Sequence, residues 1–160
     1  MNIKTYIPHY TKLKDRKQYI TRELKTLGIS DYELITDFDK EDITEDILSK
    51  YYNPDAQVRR QKAAFTNANV TVPELKHSII SLCLKHITVL DKFISSNYDY
   101  ALVIEDDCRF LTNYKNVVES IENAPSDWDI LFIGGSFDHS IIKRVMMLSN
   151  YILAGHPSTN

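Results

Sequence analysis

Ala101-Leu102-Val103-Ile104-Glu105-Asp106-Asp107 is a short apolar run that breaks into three consecutive carboxylates. Four residues with no polar interruption, two of them β-branched, read as a strand buried on both faces, the habit of a parallel sheet. Three acids in a row repel one another unless positive charge lies among them. If the strand continues, Glu105 and Asp107 face one side and Asp106 the other. The Cα atoms of the outer pair then stand about 6.5 Å apart. From there two carboxylates can converge on a hard divalent ion such as Mn²⁺ or Mg²⁺, leaving positions for water and phosphate oxygens. A solvated acidic turn is the competing reading, and spacing alone leaves both open.

Working outward, strands alternate with helices. Residues 2–8 form a strand that stops at Pro8. Thr11 is placed to cap a helix that carries Leu13, Ile20, Leu24 and Leu27 and closes at Gly28. Residues 32–36 form a second strand, ending at Asp37. Residues 40–70 are polar, with short helices expected at 44–52 and 55–64 around Pro54, and read as an excursion from the sheet. The clearest helix spans 74–96, where Leu75, Ile79, Cys83, Ile87, Leu90 and Ile94 recur at steps of three and four. After the 101–104 strand come a helix near 113–123, a strand at 129–133 ending in Gly134-Gly135, and an extended run at 145–153. This alternation predicts an α/β fold with a mainly parallel sheet flanked by helices, in a single domain over 1–160.

Composition narrows the partners. The 160 residues are 43% hydrophobic, enough for a real core, and the net charge is −3. The one dense basic cluster, Lys12, Lys14, Arg16 and Lys17, reads as a solvated helix face, so no nucleic-acid partner is expected. Cys83 and Cys108 fall on different elements and read as reduced thiols. No apolar leader and no run of membrane-spanning length is present, which predicts a cytoplasmic chain without a membrane span.

Open α/β sheets bind ligands outside the carboxyl ends of their strands. Here those ends carry His9 and Tyr10, Asp37 and Asp39, Glu105 to Asp107, and Gly134-Gly135-Ser136. Neither a GxGxxG fingerprint nor a GxxxxGK[ST] loop occurs, which argues against a dinucleotide dehydrogenase or a P-loop enzyme.

Four stretches in order resemble glycosyltransferase family 25, which includes lipooligosaccharide and collagen galactosyltransferases. Asp15-Arg16 is similar to the family's early Asp-Arg, and Ser81-Leu82-Cys83-Leu84-Lys85-His86 to its Ser-His helix. The stretch from Asn97 to Asp107 resembles its strand-plus-acid motif, and Trp128 to Gly135 its strand ending in glycine. The resemblance implies a GT-A-like (Rossmann-like) fold, a nucleotide-sugar donor, most often a UDP-hexose, a glycan or protein hydroxyl acceptor, and a divalent metal, Mn²⁺ or Mg²⁺. It implies that Glu105 and Asp107 hold the metal and diphosphate, with Asp106 near the sugar or ribose. Pro8, His9 and Arg16 match the part facing the nucleotide, and Gly134 and Gly135 a loop that admits close backbone approach. Asp37 and Asp39 are further candidates for the ribose, against plain turn-forming acids. Two positions depart from the pattern: Lys85 replaces the serine before the helix histidine, and Ser78 to Ser81 replace its glycine-bearing start.

The resemblance implies a metal-dependent hexosyltransferase that moves galactose or glucose. The diphosphate leaving group needs a counter-charge, and an acceptor hydroxyl needs a base that the sequence does not single out. Family members continue beyond the length seen here, so the chain reads as C-terminally truncated at Asn160. The alternative is therefore a non-catalytic donor-binding module; a glycoside hydrolase, whose two acids stand on separate elements, fits less well. His86 falls on the apolar helix face and reads as a core histidine, against the site role that the resemblance implies; His139 and His156 lie in loops with nothing tying them to a metal.

Overall fold

The computed structural model describes residues 1–56, 58–59, 75–125, 127–136 and 147–154. Its strands are β1 (Ile3–Pro8), β2 (Tyr32–Ile35), β3 (Tyr100–Val103), β4 (Ile130–Ser136) and β5 (Met147–Ala154). The helices are α1 (Lys14–Thr26), α2 (Glu45–Tyr51), α3 (His77–Ile94) and α4 (Tyr114–Glu122). The expected helix at 55–64 falls largely outside the described residues. So do the expected start of the long helix at 74 and the first residues of the last strand.

The sheet order is β2-β1-β3-β5-β4. Strand β1 pairs in parallel with β2 (Thr5 opposite Tyr32) and with β3 (Ile3 opposite Tyr100). The parallel expectation holds for these three strands and then gives way. Strand β5 inserts between β3 and β4 and runs antiparallel to both. A parallel neighbour needs a crossover, whereas β5 lies antiparallel beside β4, the strand that precedes it in the chain.

Helices cover both faces. On one, α1 and α4 bury Ile20, Leu24, Val117 and Ile121 against Ile7, Leu102, Ile104 and Ile152. On the other, Val89 and Phe93 of α3 pack on Tyr6, Ile35, Ala101, Val103 and Leu153. Successive residues of β3 thus enter opposite clusters, which is why its sequence shows no polar alternation. A smaller cluster sets Ile80 and Leu84 of α3 against Ile43, with Ile47 and Leu48 of α2 beside it. The helix expected at 44–52 is α2; it has no buried residue and Thr44 caps its start.

Two local expectations need correction. Thr11 does not cap α1; its backbone N–H and hydroxyl both donate to Asp39, and Leu13 takes the cap position with no side-chain hydrogen bond. The far end is as expected: Gly28 adopts φ 75°, the left-handed region open to glycine, and Ile29 N–H reaches back to Leu24 O at 2.9 Å.

The second correction is the orientation of α3. The stripe Ile79, Cys83, Ile87, Leu90 and Ile94 faces outward, with Ile94 79% exposed. The buried stripe is Ile80, Ser81, Leu84, Lys85, Val89 and Phe93. This helix is apolar over much of its circumference, so periodicity marks two stripes without ranking them. Polar partners inside the fold decide between them, because Ser81 and Lys85 can be buried only where acceptors await them.

Candidate functional site

The chain runs from β1 through α1 to β2 on one face of the sheet. It then passes through α3 on the other face to β3, on the opposite side of β1. The direction of winding reverses between β1 and β3, and a crevice opens at such a point beyond the carboxyl ends of the strands. A pocket of about 290 Å³ lies there. Pro8, His9 and Tyr10 from the end of β1 line it, with Leu13 and Arg16 from the α1 region, Glu105 and Asp106 after β3, and Lys40. Its remaining wall is Ser78, Ser81, Leu82 and Lys85 of α3.

The acids after β3 leave the strand and turn, with Cys108 N–H donating to Glu105 O at 3.1 Å. Alternation therefore stops short of them. Asp106 is buried, with Oδ2 2.7 Å from His9 Nδ1 and Oδ1 accepting from an Arg16 Nη at 3.0 Å. The same Arg16 nitrogen lies 2.8 Å from Asp107, so one guanidinium supplies the positive charge that three adjacent acids require. Glu105 is half-buried and lines the pocket. Its pKa is raised by burial and by the charges of Asp107 and Asp106, against the opposing pull of Arg16.

His9 is nearly sealed: its side chain is 1% exposed. One ring nitrogen, Nδ1, is engaged by Asp106, which leaves Nε2 as the other polar atom of the ring. That Nε2 is buried with no hydrogen-bond partner among the described residues. Leaving a buried polar atom unsatisfied costs roughly 1–3 kcal/mol.

The opposite wall is held by a clamp. Lys85 Nζ donates to Asp37 O at 2.6 Å and to Asp39 Oδ1 at 2.9 Å, while Ser81 Oγ donates to Phe38 O at 2.6 Å. Phe38 sits at φ 58°, a conformation that bulky residues seldom adopt. The α3 contacts fix the backbone on either side of it.

Of the expected site residues, Pro8, His9, Arg16, Glu105 and Asp106 come together in the pocket, with Asp107 tied to them through Arg16. Asp37 is exposed and contributes its carbonyl to Lys85. Gly134 and Gly135 lie within β4 rather than in a loop after it. Gly134 pairs with Asn150 across a register irregularity, two strands away from β3. His86 is half-buried outside the pocket lining, and burial lowers its pKa; His139 and His156 lie outside the described residues. Sequence reasoning missed Ser78, Ser81 and Lys85 as wall residues. Their spacing of three and four, a polar stripe on an apolar helix, was the available signal.

The sheet is thus an α/β sheet covered by helices on both faces, with an acidic, arginine-bearing crevice at its reversal point. Against known families, the model for glycosyltransferase family 25 (LPS biosynthesis protein) matches residues 2–152, and the chain belongs to that family. A comparison with curated proteins finds no match.

Proposed function

We propose that the pocket binds a nucleotide sugar, most simply a UDP-hexose, as the donor of a metal-dependent hexosyl transfer to a glycan or protein hydroxyl, on a GT-A-like scaffold. The observation that carries this reading is the turn 105–107 set beside Arg16 at the reversal point of the sheet. Among the described residues no three His, Cys, Asp or Glu side chains converge to cage an ion. An open site fits the residues better: Glu105 and Asp107 would hold Mn²⁺ or Mg²⁺ by two carboxylates and leave its other positions to diphosphate and water. The pKa of Glu105 is raised first by burial and then by the charges of Asp107 and Asp106, and a cation would relieve the second of these. When bound, the ion would supply counter-charge for the departing diphosphate. Arg16 adds a fixed positive group on the same side, and Asp106 holds it there. No helix among the described residues is long and apolar enough to cross a membrane.

A thermal-shift panel of nucleoside diphosphates and their sugars tests the reading. A ligand at about 100 times its Kd stabilises the fold by about 2.7 kcal/mol. For this chain length that corresponds to a rise of roughly 5–10 °C in Tm. The rise is expected with Mn²⁺, largely lost with chelator, and absent from Asp107→Ala. No shift with any nucleotide across the panel removes the proposal.

A further inference from the structure

Arg16, Lys40 and Lys85 bring positive charge to the pocket lining. Arg16 is drawn to Asp106 and Asp107, and Lys85 to Asp39. Lys40 pairs with no carboxylate among the described residues. The chain sets it between two acids, Asp39 and Glu41, yet both are engaged elsewhere. Asp39 is buried and accepts from Thr11 and Lys85. Glu41 accepts from the Tyr10 hydroxyl and pairs with Lys12 at 2.9 Å. Lys40 Nζ itself stands 5.0 Å from the centre of the Tyr10 ring, and Tyr10 also lines the pocket. A ring face holds an ammonium without cancelling its charge. The backbone leading to Lys40 is anchored as well, because Ser81 Oγ donates to Phe38 O and Lys85 Nζ to Asp37 O, both at 2.6 Å. The loop after β2 thus brings an uncompensated positive charge to the cavity, on a different element from Arg16 and the acids after β3.

We infer that Lys40 forms an anion subsite of the pocket that works without a metal ion, and that it takes a phosphoryl group. An ammonium is a compact point charge with three rotatable donors, which suits a tetrahedral oxyanion, whereas planar carboxylates match the guanidinium fork. Ser78, which lines the pocket one helical turn before Ser81, adds a hydroxyl on the adjoining wall. The subsite follows from Lys40 standing between two neutralised acids, so it rests on neither the divalent ion nor the nucleotide-sugar reading. Under that reading the group is the diphosphate of the donor; a phosphorylated sugar supplies the same chemistry.

Nitrogen-15 NMR titrations of the whole chain at low ionic strength, with chelator present, test this. The probes are pyrophosphate, UDP, glucose 1-phosphate, malonate and uridine. Lys40 is exposed, so Lys40→Met and Lys40→Arg are expected to fold as the wild type does. Wild type should bind pyrophosphate and UDP, Lys40→Met about tenfold more weakly, and Lys40→Arg nearly as well as wild type. Added salt should weaken the wild type more than Lys40→Met. A loss shared by pyrophosphate, UDP and glucose 1-phosphate assigns any phosphoryl group, and one limited to the first two assigns a diphosphate. Wild-type affinity of Lys40→Met for these probes overturns the inference. So does an equal loss for uridine, which carries no charge, or a wild type that binds none of the phosphates until Mn²⁺ is added. Malonate bound as tightly as glucose 1-phosphate overturns the phosphoryl assignment. A protein that binds pyrophosphate through Lys40 yet takes no nucleotide even with Mn²⁺ removes the donor reading and leaves this inference standing.

Discussion

Lys85 on α3 and Asp39 beyond β2 form an ion pair at 2.9 Å, with side chains only 4% and 8% exposed. The pair joins the pocket wall to the loop carrying Phe38, and Thr11 completes it from the other side by donating to Asp39. A buried pair of this kind is weak evidence of net stability, yet removing one member leaves an uncompensated charge. Lys85→Met is therefore expected to destabilise by about 3–5 kcal/mol. The double variant Lys85→Met/Asp39→Leu should regain part of that. Urea melts of the three proteins check the order, and a single variant no less stable than the double one contradicts it.

The same carboxylate gives a pH dependence. Burial pushes the Asp39 carboxyl up, but hydrogen bonds from Thr11 and Lys85 and the Lys85 charge outweigh it, so its pKa lies below the ordinary value. A depressed acid stabilises the fold above its unfolded pKa, about 3.9, and that stability is lost as pH falls through the folded value. Asp39→Asn should flatten the stability curve below about pH 4. Acid titration followed by circular dichroism measures this, and curves of equal slope would refute it.

Glu105 works in the opposite direction. Its pKa is raised, chiefly by burial and then by Asp107 and Asp106, so the folded state holds the proton more tightly than the unfolded chain. Its ionised form is therefore a liability above the unfolded pKa, relieved as pH falls. Glu105→Gln should melt slightly higher than wild type at pH 7 without metal and lose the Mn²⁺-dependent gain in the presence of UDP. A lower Tm without metal would show that the carboxylate is held by favourable contacts instead.

The two stripes of α3 predict contrasting substitutions. Leu84, 2% exposed, should cost about 2–5 kcal/mol as Leu84→Ala. Ile87, 42% exposed, should change stability by no more than about 0.5 kcal/mol as Ile87→Ser. Comparable losses at both positions would mean that the outward stripe is covered in solution.

The thiols should differ in reactivity. Cys83 is exposed, whereas burial, followed by the charges of Asp107 and Glu105, pushes the Cys108 thiol up to about 11. Only thiolate attacks, so Ellman's reagent at pH 8 should release one equivalent quickly from native protein and the second only on unfolding. Two fast equivalents would place Cys108 in the open.

Local pattern made the order of strands and helices legible, because backbone periodicity and the turn residues Pro8 and Gly28 act within a few positions. The doubly buried β3 was legible for the same reason, as was a cluster of acids needing positive charge. What supplied that charge was also visible in outline, since Arg16 stood among the candidates. The sequence alone did not show that Asp106 faces His9 and Arg16, residues 97 and 90 positions away. Those contacts exist because β3 pairs beside β1, and strand order is a property of the whole sheet. The outward turn of the α3 stripe, the burial of Lys85 on Asp39, and the antiparallel insertion of β5 have the same origin. Each depends on which polar groups and edges the rest of the fold offers, and no window of neighbouring residues contains that information.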